Sequence, residues 1–200
     1  MAIKAIMVDV DGVLLVHPEP QGWSVHLERD LGLASSTLQA AFFERHWDDV
    51  VHGRAPLRER LAPVLEEIAP HLGCDELVSY WFENDAHLNQ GLAAELASLR
   101  RDGVEIHLAT VQEHERARYI WEVLDFRSSF DGIHYAAELG VSKPDPRFFR
   151  VIEARTGFAP EELIFLDDKP ANVTGTRRCG WSAALWTGEE TLASVLSVAR

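Results

Sequence analysis

The sequence predicts an α/β fold, a doubly wound parallel sheet with an all-helical insertion near its N-terminus. Three observations carry this. Residues 3–16 read IKAIMVDVDGVLLV, and the unbroken apolar run Ala5, Ile6, Met7, Val8 has the character of a strand buried on both faces. From Trp23 to about Leu88 the apolar residues recur at helical spacing with no strand pattern between them. Beyond Asn89, helical and strand patterns alternate, the order expected of a parallel sheet covered by helices.

The first strand runs into Asp9, Asp11 and Gly12. Strand side chains alternate, so a strand reaching that far sends both carboxylates out on one side at its carboxyl end. Two acids placed together there repel unless a cation joins them. Asp-Gly between two apolar runs is equally a short hairpin signal, and the two readings are compatible. A calcium-binding EF-hand loop does not fit, because its third acidic position and its closing Glu are missing.

Pro18 and Pro20 mark a break after this strand. Val25, Leu27, Leu31 and Leu33 then lead to Gly32 and Ser35–Ser36, and a second helix follows through Phe42, Phe43 and Trp47. Gly53 and Pro56 end it. Leu57, Leu61, Val64, Leu65 and Ile68 form a third helical stripe, stopped by Pro70 and Gly73, and Asp75–Glu76 open a helix through Val78, Trp81 and Phe82. A helix is expected over 92–101, with basic residues in its last turn and Gly103 just beyond. Strands are expected over 104–109 (ending at Thr110), 133–136, 163–166 (ending at Asp167–Asp168) and 181–186. Helices are expected over 113–124, 147–156, 171–178 and from Thr191 onward, with a helical turn at Pro160–Glu162.

The composition bounds the function. Two hundred residues, 46% of them hydrophobic, suit one domain or a core with a modest insertion. A net charge of −13 argues against nucleic acid or an anionic membrane surface as the partner. Cys74 and Cys179 are far apart and in no metal-binding spacing, as expected of reduced thiols in a cytoplasmic protein. No window resembles a signal peptide or a membrane span.

In a doubly wound sheet, ligands bind outside the carboxyl ends of the strands. Asp9, Asp11, Thr110, Asp167 and Asp168 all fall at such ends, and Lys143 sits in a loop reading SKPDP. At this point the chain resembles the haloacid dehalogenase-like hydrolase superfamily. The resemblance rests on DVDGV, Thr110 after an apolar strand, Lys143 in SKPDP, and FLDDKPAN at Phe165 to Asn172, four motifs in the family's order. It implies a Rossmann-like catalytic core formed by residues 1–16 and 91–200, with residues 17–90 as a small helical cap.

The same resemblance implies the chemistry. Asp9 is the expected nucleophile, attacking phosphorus to give an aspartyl-phosphate that water then hydrolyses. Asp11 is the expected acid for the leaving oxygen and base for the attacking water. Thr110 and the main-chain N–H of Val111 are the expected phosphate contacts, with Lys143 neutralising both Asp9 and the phosphate. Mg²⁺ is the implied cofactor, on Asp168, Asp9 and the Asp11 carbonyl, with Asp167 acting directly or through water. Electrostatics favours the cation: two like charges ~4 Å apart at an effective dielectric of ~20 repel by roughly 4 kcal/mol, and four carboxylates with a phosphate dianion exceed what one lysine offsets. Asp11 bears on the reaction, since dehalogenases of this fold generally lack an acid there. The expectation is a Mg²⁺-dependent phosphoric monoester hydrolase acting on a small phosphorylated metabolite, a sugar phosphate first among them. A phosphomutase, a 2-haloacid dehalogenase or a non-catalytic phosphate-binding module on the same fold are the alternatives. One departure stands out: the family often has Asn after the Thr, where this chain has Val111 and then Gln112, so a side-chain contact to phosphate is lost or moved to Gln112.

Other polar and aromatic residues read as structural. His17, His26, His46, His52 and Trp23 are expected to pack or face solvent in the insertion, and His107 to be satisfied within its strand. Asn172 reads as support or a capping contact behind Asp168, and Arg177–Arg178 as a solvated helix end.

Overall fold

The computed structural model describes residues 3–19 and 21–198, the side chain of Val198 apart. Pro20, one of the prolines read as a break, and the termini of the expected core at 1–2 and 199–200 lie outside the described residues. Five parallel strands form one sheet: β1 (Ala5–Val8), β2 (Glu105–Thr110), β3 (Gly132–Tyr135), β4 (Leu163–Asp167) and β5 (Ser182–Leu185), in the order β3-β2-β1-β4-β5. β1 is central, with Val8 beside Leu108 of β2 and Leu166 of β4. The order reverses between β1 and β4, so the loops leaving these two strands diverge and open a crevice at their carboxyl ends.

Alternation along the strands explains the two covered faces. Ile6, Val8, Ile106, Leu108, Ile164 and Leu166 join one apolar cluster, with Leu92 and Leu96 of α6 (Gln90–Arg101) and Leu192 and Val195 of α12 (Leu192–Val198). Ala5, Met7, Phe165 and Ala183 join another, with Phe148, Phe149 and Ile152 of α10 (Pro146–Thr156) and Val173 of α11 (Pro170–Arg178). Continuous apolar strands are what a sheet buried on both sides requires.

Between β1 and α6 the chain is helical, through α1 (Leu27–Leu31), α2 (Ser35–Leu38), α3 (Glu44–Val51), α4 (Leu57–Ile68) and α5 (Cys74–Asn84). These helices have their own apolar cluster, with Leu27, Phe42, Leu57, Leu61, Leu65, Val78, Trp81 and Phe82 among its members. Trp23 stacks on Trp81 at 5.2 Å between ring centroids, so it packs here as expected.

Two expectations are corrected at the first loop. β1 ends at Val8, so strand alternation does not aim Asp9 and Asp11. No two-residue hairpin forms either. The main-chain N–H groups of Leu14 and Leu15 both donate to the Val10 carbonyl, Gly12 donates to Leu15, and Leu15 then bridges Leu88. This wider turn keeps Asp11 at the carboxyl end of the central strand while Val16 pairs with His87 and Leu14 with Asn89. The two connections to the helical insertion thus leave the sheet side by side. The helix expected over 113–124 runs unbroken over 114–123, α7 (His114–Arg118) passing directly into a wider π turn at Tyr119–Val123. Two four-residue helices, α8 (Phe126–Ser129) and α9 (Ala136–Leu139), were too short to leave a periodic pattern. Arg177 is not merely solvated: its guanidinium donates to the Ala183 carbonyl of β5 at 2.7 Å. Among the described residues no helix is long and apolar enough to cross a membrane.

Candidate active site

Asp9 directly follows β1, and its N–H donates to the Leu166 carbonyl of β4 at 2.9 Å, which fixes it over the crevice. Its Oδ1 accepts from the Val10 N–H at 2.8 Å and lies 2.8 Å from Lys143 Nζ. Lys143 comes from the loop between α9 and α10 and has no side-chain exposure. The same ammonium lies 2.7 Å from Asp167 Oδ2 and 4.9 Å above the Phe165 ring. One buried cation therefore serves two buried carboxylates, a geometry held only because each partner has further contacts.

Asp167 has several. Asn172, in the first turn of α11, donates Nδ2 to both carboxylate oxygens at 3.0 Å, and the Lys169 N–H donates to Oδ1 at 2.8 Å. Asn172 is the support expected of it, though it reaches Asp167 and not Asp168. Asp168 is freer: its Oδ1 is buried without a hydrogen-bond partner among the described residues. Gly12 lies against it with φ +79°, and a Cβ added there would fall 2.6 Å from Asp168 Oδ2. A side chain at position 12 would both strain the backbone and displace Asp168.

Asp9, Asp167 and Asp168 each present an oxygen within 4.8 Å of the other two. Three carboxylates offering hard oxygen donors, with Asp168 holding an unpartnered oxygen among the described residues, suit a hard divalent cation such as Mg²⁺. The Asp11 carboxylate stands outside this trio. Its Oδ2 accepts from Gln112 Nε2 at 2.7 Å, and its Oδ1 is buried without a partner among the described residues. At the end of β2, Thr110 is buried with its Oγ1 likewise without a partner among the described residues, and Val111 beside it is half-buried.

Charge and burial oppose each other here. Burial pushes the Asp9 carboxyl up to about 7, against the pull of the Lys143 ammonium and with a further push from Asp167. Burial also raises Asp168, opposed by Lys169. A dication on these oxygens would favour the ionised forms.

The sequence leaves open whether the side-chain contact to phosphate is lost or moves to Gln112; in the structure the Gln112 amide reaches Asp11. Three neighbours were not anticipated at all. Glu113 is buried and caps α7, accepting from the Glu115 and Arg116 N–H groups; burial lifts its carboxyl to about 7. Arg116, fully buried, donates to the Phe82 carbonyl at 2.7 Å and to the Asp85 carbonyl at the end of α5, and packs over the rings of Phe82 and Tyr119. Asp85 is raised to about 6, by burial first and by the charge of Asp11 next. No local pattern signals the roles of Arg116 and Asp85, because they depend on which carbonyls the insertion brings down onto α7.

A family model described as haloacid dehalogenase-like hydrolase matches residues 3–180. The chain belongs to the haloacid dehalogenase-like hydrolase family. This hydrolase is 33% identical over 138 residues to a phosphoserine phosphatase of Thermus thermophilus, a match covering 66% of this chain and 54% of that protein. The hydrolase thus spans only about half of that relative. It is 27% identical over 198 residues to a phosphatase of Mycobacterium tuberculosis, covering 92% of this chain and 88% of that one. Among solved structures, a family enzyme of Bacteroides thetaiotaomicron, crystallised as an aspartate-to-alanine variant with magnesium and inorganic phosphate, superposes with a TM-score of 0.79 over 96% of this chain and 98% of its own, at 16% identity. That likeness shows the fold.

Proposed function

We propose that this hydrolase is a Mg²⁺-dependent phosphatase that cleaves a small phosphomonoester, a sugar phosphate first among candidates, through an aspartyl-phosphate on Asp9. The observation that carries the reading is Asp11, a second carboxyl two residues beyond Asp9 whose buried Oδ1 has no partner among the described residues. A halide leaves carbon without a proton, whereas an alcohol leaves phosphorus only if its oxygen is protonated. The phosphatase names of two relatives and the magnesium and phosphate bound to the Bacteroides enzyme support the reading.

In the first half-reaction an Asp9 carboxylate oxygen bonds to phosphorus as the ester P–O bond breaks. The departing oxygen takes the proton from Asp11 and leaves as an alcohol. In the second, water attacks phosphorus, gives its proton to the Asp11 carboxylate, and returns Asp9 as carboxylate with inorganic phosphate. Lys143 balances charge on Asp9 and the phosphoryl group, while Thr110 Oγ1 and the Val111 N–H donate to phosphoryl oxygens. Asp9, Asp168 and the Asp11 carbonyl would hold Mg²⁺, with Asp167 contributing directly or through water; when bound it supplies positive charge to the phosphoryl oxygens.

Residues 17–90 act as the cap on a core of residues 1–16 and 91–200. Support comes from the seam: His52 Nε2 lies 3.0 Å from Ser142 Oγ, next to Lys143, and Arg58 Nε donates to Glu115 at 2.6 Å. A lid touching these loops excludes water and large substrates together. The free thiols of Cys74 and Cys179 suit a cytoplasmic location.

The test is a panel of phosphorylated metabolites assayed with Mg²⁺ and with chelator. The reading predicts phosphate release that needs Mg²⁺ and disappears in Asp9→Asn. No turnover on any ester, or an active Asp9→Asn variant, would overturn it; isomerisation of a sugar phosphate without phosphate release would select a mutase.

A further inference from the structure

We infer that Gln112 is a positioning residue for Asp11, fixing which carboxyl oxygen hands a proton to the leaving group. The inference rests on the phosphatase reading of the site. The two oxygens of Asp11 are not equivalent. Oδ2 accepts from Gln112 Nε2 at 2.7 Å, while Oδ1 is buried and has no partner among the described residues. An oxygen already receiving an amide N–H has a lone pair committed and is the poorer seat for a proton. Oδ1 is therefore the oxygen left open to the leaving group. Without the amide, the carboxyl is free to turn about its terminal torsion, which is broad for aspartate, and to exchange the roles of its two oxygens.

Gln112 is built to hold that orientation. Its side chain is buried, and its carbonyl accepts from the Ala137 N–H at 3.1 Å. The next residue, Glu113, caps α7 with its own carboxylate, and one turn on Arg116 ties α7 to the carbonyls of Phe82 and Asp85. The amide thus comes from a segment anchored both to the sheet edge and to the end of α5. A flexible surface glutamine could not impose a direction on Asp11; this one can. The arrangement also leaves Gln112 engaged with Asp11 and not with the phosphate position, so Val111 contributes only its main chain to phosphate recognition.

Leaving-group dependence separates this role from a general structural one. An alkyl phosphate needs its leaving oxygen protonated, whereas p-nitrophenolate departs with little help. Gln112→Met keeps the length and removes the donor. We expect kcat/KM for the alkyl phosphate turned over fastest in the panel to fall about thirtyfold, part of the 10²–10⁴ typical of general acid catalysis, and that for p-nitrophenyl phosphate by about threefold or less. Inhibition by inorganic phosphate should keep its constant within about twofold. Activity on p-nitrophenyl phosphate also reports that the variant is folded. Should Gln112→Met fail to fold, Gln112→Asn, which withdraws the amide by one methylene, is read the same way. Equal losses on both esters, or phosphate inhibition weakened in step with activity, would overturn the inference and make Gln112 structural or a direct phosphate ligand. A wild-type protein inert toward both esters would overturn the phosphatase reading, and this inference with it.

Discussion

Lys143 is the residue on which most of the site's electrostatics depends. It is the shared partner of Asp9 and Asp167, all three buried, so removing its charge strands two carboxylates away from water. Lys143→Met should cost about 3–5 kcal/mol in urea unfolding, the range for breaking a buried ion pair from one side. Mg²⁺ should raise the melting temperature of this variant more than that of wild type, because the ion becomes the remaining counter-charge. Gly12→Ala makes a smaller, more local test: the Cβ would meet Asp168 Oδ2 at 2.6 Å in a left-handed backbone. Its expected mark is a higher Mg²⁺ concentration for half-maximal activity, by about tenfold or more, measured by titrating the metal; an unchanged requirement would mean Asp168 does not hold it. At this scale the sequence was informative wherever chemistry demanded a residue type at a strand end, as with Asp9, Asp167 and Asp168. It was silent on Arg116 and Asp85, whose partners are carbonyls and charges from distant segments. It left Gln112 open, since spacing alone could not show that its amide reaches Asp11.

Among elements, the seam between the helical insertion and the sheet is the most instructive. Arg116 of α7 inserts its guanidinium beneath the end of α5, where it satisfies the carbonyls of Phe82 and Asp85. Burial lowers its basicity, and the neighbouring charges of Asp11 and Asp85 oppose that loss. Arg116→Met would leave two acceptors unsatisfied, so we expect about 2–4 kcal/mol of lost stability, with faster hydrogen exchange concentrated at the carboxyl end of α5. Uniformly unchanged exchange there would show that the contact is dispensable. The helical stripes of the insertion and the buried strands were readable because each buries a face of fixed period. The end of β1 was not, because Val10 beyond Asp9 prolongs a strand-like alternation while a turn closed on the Val10 carbonyl has already replaced the ladder.

For the whole molecule, the doubly wound order concentrates the aspartates at one crevice and leaves other buried titratable groups to shape stability. His134 is buried beside His107, and its imidazole is pushed down to about 4, by burial first and by His107 next. The unfolded chain takes up this proton near its ordinary value of about 6.5, and the native state resists it until about 4. Its contribution is therefore complete above about pH 6.5 and lost as pH falls toward 4, up to about 3 kcal/mol. Glu113, raised to about 7, acts oppositely: its contribution is present below its ordinary value and lost as pH rises through 7. Comparing wild type with His134→Leu in urea from pH 7 to 4 isolates the first effect; the variant's stability should fall less steeply with acid, and parallel curves would contradict the assignment. The architecture itself was legible from alternating patterns, since a parallel sheet needs helical crossovers between its strands.

The central claim is covalent: phosphate passes through Asp9. Acid-quenching the enzyme during Mg²⁺-supported turnover and locating any phosphoryl group by peptide mass spectrometry tests it most directly. The account predicts one phosphoryl group on the carboxylate of Asp9, absent without Mg²⁺ and absent in Asp9→Asn. A phosphoryl group trapped on another side chain, or steady phosphate release with Asp9 never modified under any quench, would contradict it.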